Sequence, residues 1–178
     1  MALTRFLFSS KNEIALNQIR EENLFLYKIV SHLGTCLTVP EEEIIEQGDK
    51  GQALFFISKG DCAVKYLNIN GHEVLSSKLL TEGDHFGEIS MIYKCPRTAT
   101  VISRNYNTLA RLTYEMYREI VNEYPDYLRY LKLYLFGYKE AKKYFFFDMI
   151  TSIEYFNHNF PVDLLHDMFY SMETKKYE

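Results

Sequence analysis

An acid two residues after an aromatic, a short apolar run and an arginine directly after a proline meet in one stretch. It spans Phe86 to Val101 and reads F-G-E-I-S-M-I-Y-K-C-P-R-T-A-T-V. Gly87 has no Cβ, so the backbone there can come close to a bound group. Glu88 to Tyr93 suits one or two helical turns, whose first N–H groups and positive dipole end favour an anion. Arg97 carries a rigid fork of donors that matches two phosphate oxygens. Glu88 repels phosphate, and its natural partner is a neutral donor such as a sugar 2′-hydroxyl. A cation for phosphate and an acid for a sugar hydroxyl, joined by a tight turn, describe a nucleotide site with a single phosphate. Each feature alone is also ordinary loop chemistry or a surface ion pair; the combination at this spacing points to a ligand site.

The stretch resembles the phosphate-binding cassette of the cyclic-nucleotide-binding domain family. Phe86-Gly87-Glu88, Pro96-Arg97 and Ala99-Thr100-Val101 all fall at the family's spacing without a gap. A weaker similarity runs from about Val39 to about Phe145. That family includes kinase regulatory subunits, cyclic-nucleotide-gated and hyperpolarisation-activated channels, and bacterial catabolite activators. The resemblance implies cyclic AMP or cyclic GMP as the ligand, with no other cofactor. It implies contacts from Phe86, Gly87, Glu88, Ile89, Ser90, Pro96, Arg97, Thr98 and Ala99. Thr98 resembles the channels and the cyclic-GMP-dependent kinases, since the cyclic-AMP-dependent kinase has alanine there. Its hydroxyl suits a phosphate oxygen or the exocyclic amine of a syn guanine. Hyperpolarisation-activated channels also carry threonine, however, and prefer cyclic AMP. Ser90 replaces the alanine of the kinase subunits and adds a possible donor near the phosphate.

Composition bounds the remaining classes. The chain has 178 residues, 47% hydrophobic and 25% charged, which is globular rather than disordered. A net charge of −4 argues against nonspecific nucleic-acid binding, which needs excess Lys and Arg. No apolar run approaches the ~20 residues of a membrane span, and Met1 to Ser10 lacks a cleavable signal pattern. The three cysteines, Cys36, Cys62 and Cys95, are widely spaced, which suggests a reducing, cytoplasmic setting without zinc or disulfides. No nucleophile–base pair or metal cluster is apparent, so an enzyme is not expected.

The elements that must position the cassette follow in order. Residues 1–36 form an N-terminal helical segment: Ser10 and Glu13 make a capping box. Apolar positions recur from Ile14 to Val30, with a break expected near Glu22-Asn23. Residues 37–112 carry short strands between glycine corners: 53–57, 62–69 and 74–80, with Asn70-Gly71 as a hairpin turn and 101–112 closing the set. This predicts an α+β fold, an antiparallel β-roll or jelly-roll barrel with flanking N-terminal helices and C-terminal lid helices. A cupin-like metal site is disfavoured, because His72 and His85 read as surface or turn residues and no H-x-H occurs.

Residues 113–147 are the C-terminal helices. Thr113 caps the first and Pro125 restarts the second. Tyr127, Leu131, Tyr134, Tyr138, Ala141 and Phe145 then form one apolar-aromatic stripe packed on the barrel. In the family the last helix covers the base, which makes Tyr138, Ala141 and Lys142 the residues to touch it. Tyr138 is either a purine-stacking residue or a core tyrosine. Lys142 stands where a cyclic-GMP-selective channel places an acid. Residues 148–178 form a helical tail, read either as packing on this domain or as the start of a second, tandem domain.

The functional expectation is a cyclic nucleotide sensor within a cation channel or a multi-domain signalling protein. Its partners are the nucleotide and an adjacent tandem, channel or kinase module. The alternative is an interaction module of the same fold that binds no nucleotide; an aromatic from Tyr144 to Phe147 filling the pocket would favour it.

Overall fold

Two antiparallel sheets and a layer of helices make up the chain in the computed structural model, which describes residues 16–67, 72–76, 78–136, 138, 141–156 and 160–172. Helix α1 (Leu16–Ser31) leads into β1 (Gly34–Thr38), β2 (Glu43–Ile45), β3 (Ala53–Lys59) and β4 (Asp61–Leu67). Then come β5 (Glu73–Leu75), β6 (Leu80–Thr81), β7 (His85–Phe86) and the cassette helix α2 (Glu88–Tyr93). Strands β8 (Thr100–Ser103) and β9 (Asn107–Thr113) precede α3 (Tyr114–Glu123), α4 (Pro125–Phe136), α5 (Ala141–Thr151) and α6 (Val162–Ser171).

One sheet has the order β1-β9-β3-β7; the other runs β2-β8-β4-β5, with β6 also on β4. The sheets face each other as a roll and do not close into a barrel. Strand β3 explains how the layers join. Its residues 53–57 are all buried, because successive side chains point to opposite faces and both faces are covered. Phe55 and Ile57 pack between the sheets with Cys62, Leu80 and Val101. Leu54 and Phe56 pack under the helices with Met91, Leu112 and Leu131. A continuous apolar run is what such a doubly covered strand requires.

Several expectations are corrected. Helix α1 runs unbroken through Glu22 and Asn23. Phe25 stacks on Tyr127 at 4.2 Å, Ile29 is buried one turn on, and Lys28 pairs with Glu123 of α3. This anchoring outweighs the weak helix propensity of one asparagine. The third expected strand is two short pieces, β5 and β6, both paired to β4. The aromatic stripe is also interrupted. Helix α4 ends at Phe136 and α5 starts at Ala141. Tyr127 and Leu131 are buried as expected, but Phe145 is 73% exposed. The Ser10–Glu13 capping box and the Asn70-Gly71 turn lie outside the described residues.

Thr113 caps α3, accepting a hydrogen bond from the Met116 amide, and α4 begins at Pro125. The tail turns back on the domain. Tyr170 of α6 stacks on Tyr93 of the cassette helix at 4.2 Å, and Asp167 accepts from Lys132 of α4 at 2.6 Å. Phe146, Ile150 and Leu165 form a separate small core between α5 and α6. The end of the tail, residues 173–178, lies outside the described residues.

Candidate functional site

The cassette is fixed at both ends by backbone. The Arg97 amide donates to the Asp49 carbonyl at 2.8 Å, and the Gly48 amide donates to the Arg97 carbonyl at 2.9 Å. Lys50 bridges Pro96 beside them, so the turn after β2 holds the segment that carries Arg97. At the other end, Phe86 is buried in β7 and stacks on Phe55 at 5.2 Å. Gly87 follows with φ 86°, in the left-handed region, and starts α2. A Cβ there would lie 2.6 Å from Arg97 Nη1, so the position requires glycine on two counts.

Arg97 is only 5% exposed. Its Nη1 donates to the Gly87 carbonyl and to Ser90 Oγ, both at 2.7 Å, and its Nη2 donates to the Ala53 carbonyl at 2.6 Å. Ser90 is buried, and its hydroxyl donates to the Gly87 carbonyl at 3.1 Å. The guanidinium therefore sits at the mouth of α2, tied both to that helix and to β3. Burial lowers its pKa, while the charges of Glu88 and Asp49 raise it.

Glu88 is likewise 5% exposed. It lines a cavity of about 10 Å³ together with Leu54, Phe56, Met91 and Tyr117. Burial pushes its carboxyl up to about 7, against the stabilisation from its own backbone amide, the Tyr138 hydroxyl and the charge of Arg97. Tyr138 lies 3.3 Å from His85 Nε2 and stands edge-on to Tyr134, with ring centres 5.8 Å apart. Burial and the Glu88 charge push its phenol well up. Burial also lowers His85 to about 4, so the imidazole is neutral near pH 7.

The sequence-predicted residues thus divide. Phe86, Gly87, Glu88, Ser90 and Arg97 come together around the start of α2. Ile89 is half-buried and packs toward the helical core. Pro96 and Thr98 are exposed and Ala99 half-buried, next to them in the chain. Tyr138 joins the site through Glu88, while the side chains of Ala141 and Lys142 lie outside the described residues. His85 is the correction here. It is a half-buried β7 residue opposite Phe56, hydrogen-bonded to Tyr138, rather than a surface or turn histidine. Sequence reading missed it, along with Gly51 and the Ala53 carbonyl; only its place beside Phe86 offered a hint. His72 is exposed, as expected.

Comparison with known proteins fits this geometry. Residues 39–124 match the family model described as cyclic nucleotide-binding domain. Over 71 residues the chain is 38% identical to the cAMP-dependent protein kinase regulatory subunit of Mycosarcoma maydis, covering 40% of this chain and 13% of that one. Over 103 residues it is 33% identical to the potassium/sodium hyperpolarization-activated cyclic nucleotide-gated channel 1 of Homo sapiens, covering 57% of this chain and 11% of the channel. The chain therefore spans a small part of the curated relatives it matches. The solved regulatory domain of Toxoplasma gondii PKA with cAMP has the same fold, with a TM-score of 0.56 at 22% identity over 87% of this chain and 50% of that one. Among the described residues no helix is long and apolar enough to cross a membrane, and no cluster of side chains suits a metal ion.

Proposed function

We propose that residues 39–124, which match the family model described as cyclic nucleotide-binding domain, bind cyclic AMP or cyclic GMP as the regulatory sensor of a larger protein. The observation that carries this reading is the pairing of two buried ionisable groups at the ends of one glycine-started turn, Glu88 and Arg97. Keeping a guanidinium and a carboxyl out of water is costly unless each meets a partner. A cyclic nucleotide brings both partners, a phosphate for Arg97 and a 2′-hydroxyl for Glu88. These groups bind and orient; none is a nucleophile placed against a base.

Binding works by exchange. Glu88 gives up the Tyr138 hydroxyl for the sugar, and Arg97 adds phosphate to its internal bonds. Freed from Glu88, the segment after α4 can move, and the ligand shifts the domain only as far as its affinity differs between the two arrangements. Thr98 is available to the phosphate, with Lys142 and Tyr138 as the base-side candidates. The output module is that of a kinase regulatory subunit, a cytoplasmic part of a channel, or a tandem sensor in which residues 148–178 begin a second domain.

The test is isothermal titration with cyclic AMP and cyclic GMP separately. Micromolar binding of either supports the sensor, and the ratio of the two gives its preference. No heat and no thermal shift with both would favour the second reading, a module of this fold that binds no nucleotide. One observation favours that second reading: Arg97 and Glu88 already find partners within the chain. The aromatic run does not. Tyr144 and Phe145 are exposed, and Phe146 is buried between α5 and α6 rather than in the roll.

A further inference from the structure

Ser90 is bonded on both sides. Its Oγ accepts from Arg97 Nη1 at 2.7 Å and donates to the Gly87 carbonyl at 3.1 Å, and the residue is 4% exposed. That same carbonyl accepts the other Nη1 proton of Arg97 at 2.7 Å. Serine, carbonyl and guanidinium therefore close a three-membered ring of hydrogen bonds around Nη1. The hydroxyl proton is committed to the carbonyl, which makes Ser90 an acceptor toward Arg97 rather than a donor toward an anion. Nη2 gives one proton to the Ala53 carbonyl. Three of the five guanidinium N–H groups are thus used, and the Nε–H and the second Nη2–H have no protein partner among the described residues.

The ring is closely flanked from outside as well. A Cβ on Gly51 would come within 2.2 Å of Ser90 Oγ, so the chain entering β3 passes close beside the hydroxyl and tolerates no side chain there. Glycine at 51 is what leaves room for a serine at 90.

We propose, resting on the function above, that Ser90 is a positioning residue for Arg97: by locking Nη1 to the Gly87 carbonyl, it presents the Nε/Nη2 edge of the guanidinium to the phosphate. A planar fork recognises two phosphate oxygens only in one orientation, and an arginine free to turn loses that geometry. An alanine at 90 leaves the fork with one anchor fewer while preserving the helix.

The test is Ser90→Ala in the full chain, titrated with cyclic AMP, cyclic GMP and the two phosphorothioate diastereomers of each. In these probes sulfur replaces one or the other exocyclic phosphate oxygen. A fixed fork distinguishes the two oxygens, so the wild type should prefer one diastereomer. Ser90→Ala should weaken both natural nucleotides by about tenfold, the scale of one hydrogen bond to a charged group. It should also shrink the diastereomer preference, an effect that general loosening of the domain does not produce. Gly51→Ala, which displaces the Ser90 hydroxyl by contact, should reproduce the same loss of preference. Unchanged or tighter binding in Ser90→Ala, or equal loss for both diastereomers, overturns the positioning role while leaving the sensor reading intact. A wild type that binds neither nucleotide overturns both.

Discussion

The Tyr138 hydroxyl lies 3.3 Å from His85 Nε2 and acts on the Glu88 carboxyl, 50 positions away in sequence, lowering its proton affinity. A neutral His85 with its proton on Nε2 can donate to the phenol, leaving the phenol's own proton for the Glu88 side. This short relay joins β7, the cassette helix and the segment after α4 at the group assigned to the sugar.

Stability should depend on pH through Glu88. Its folded pKa, about 7, lies above the ordinary carboxyl value of 4.5, so the folded state holds a proton that the unfolded state releases. Glu88 therefore favours folding fully below 4.5, and this contribution is lost as pH rises to about 7. The full loss is about 3 kcal/mol. His85 and His166, both lowered to about 4 by burial, act oppositely and add stability as pH rises from about 4 to 6.5. Denaturant unfolding of wild type and Glu88→Gln at stepped pH isolates the carboxyl. The wild-type advantage should shrink between pH 4.5 and 7, and a constant difference would refute the assignment.

Ligand affinity should follow the same group. The ionised carboxylate is the stronger acceptor for a 2′-hydroxyl. Binding of the preferred cyclic nucleotide should tighten from pH 6 to pH 8. The 2′-deoxy analogue, which lacks the hydroxyl, should show little of that dependence. Parallel pH profiles for the two ligands would show that Glu88 does not hold the sugar.

Tyr138→Phe removes the internal competitor for Glu88 and keeps the ring on Tyr134. Cyclic nucleotide affinity should rise several-fold, since the sugar then displaces no hydroxyl. The melting temperature should fall slightly, with about 1 kcal/mol lost for one hydrogen bond. If affinity instead drops, the phenol belongs to the bound state rather than to the empty one.

Arg97→Ala should cost about 2–5 kcal/mol of ligand affinity, as when one partner of a buried charged pair is truncated. It also takes the guanidinium donor from the Ala53 carbonyl and leaves the Gly87 carbonyl with Ser90 alone, so a stability loss of about 1–3 kcal/mol should accompany it. Arg97→Lys restores charge without the fork and should recover little binding. Unaltered titrations in the alanine variant would remove the phosphate assignment.

Tail and cassette should respond together. Tyr170 stacks on Tyr93, and Lys132 both pairs with Asp167 and sits 5.5 Å from the Tyr93 ring centre. Tyr170→Ala should lower the melting temperature, and ligand should change amide exchange in α6 as well as α2. Asp167→Ala should matter less, because the pair is partly exposed and worth under about 1 kcal/mol. Exchange confined to the cassette would separate the tail from signalling.

The amino-acid sequence by itself determined whatever depends on neighbours along the chain. Gly87, the turn of α2, the Thr113 cap and the Pro125 restart are set within a few residues, and their spacing carried the cassette. Short strands between glycine corners likewise specified a roll, because turn chemistry is local. Only the tertiary structure decided the partners of Arg97 and Glu88. Ala53 and Tyr138 reach them from distant segments, and no local pattern encodes which buried groups will meet. The same reason hid the unbroken α1 and the exposure of Phe145. Helix continuity and burial were settled by Phe25 on Tyr127 and by the end of α4, where packing overrides what periodicity alone suggests.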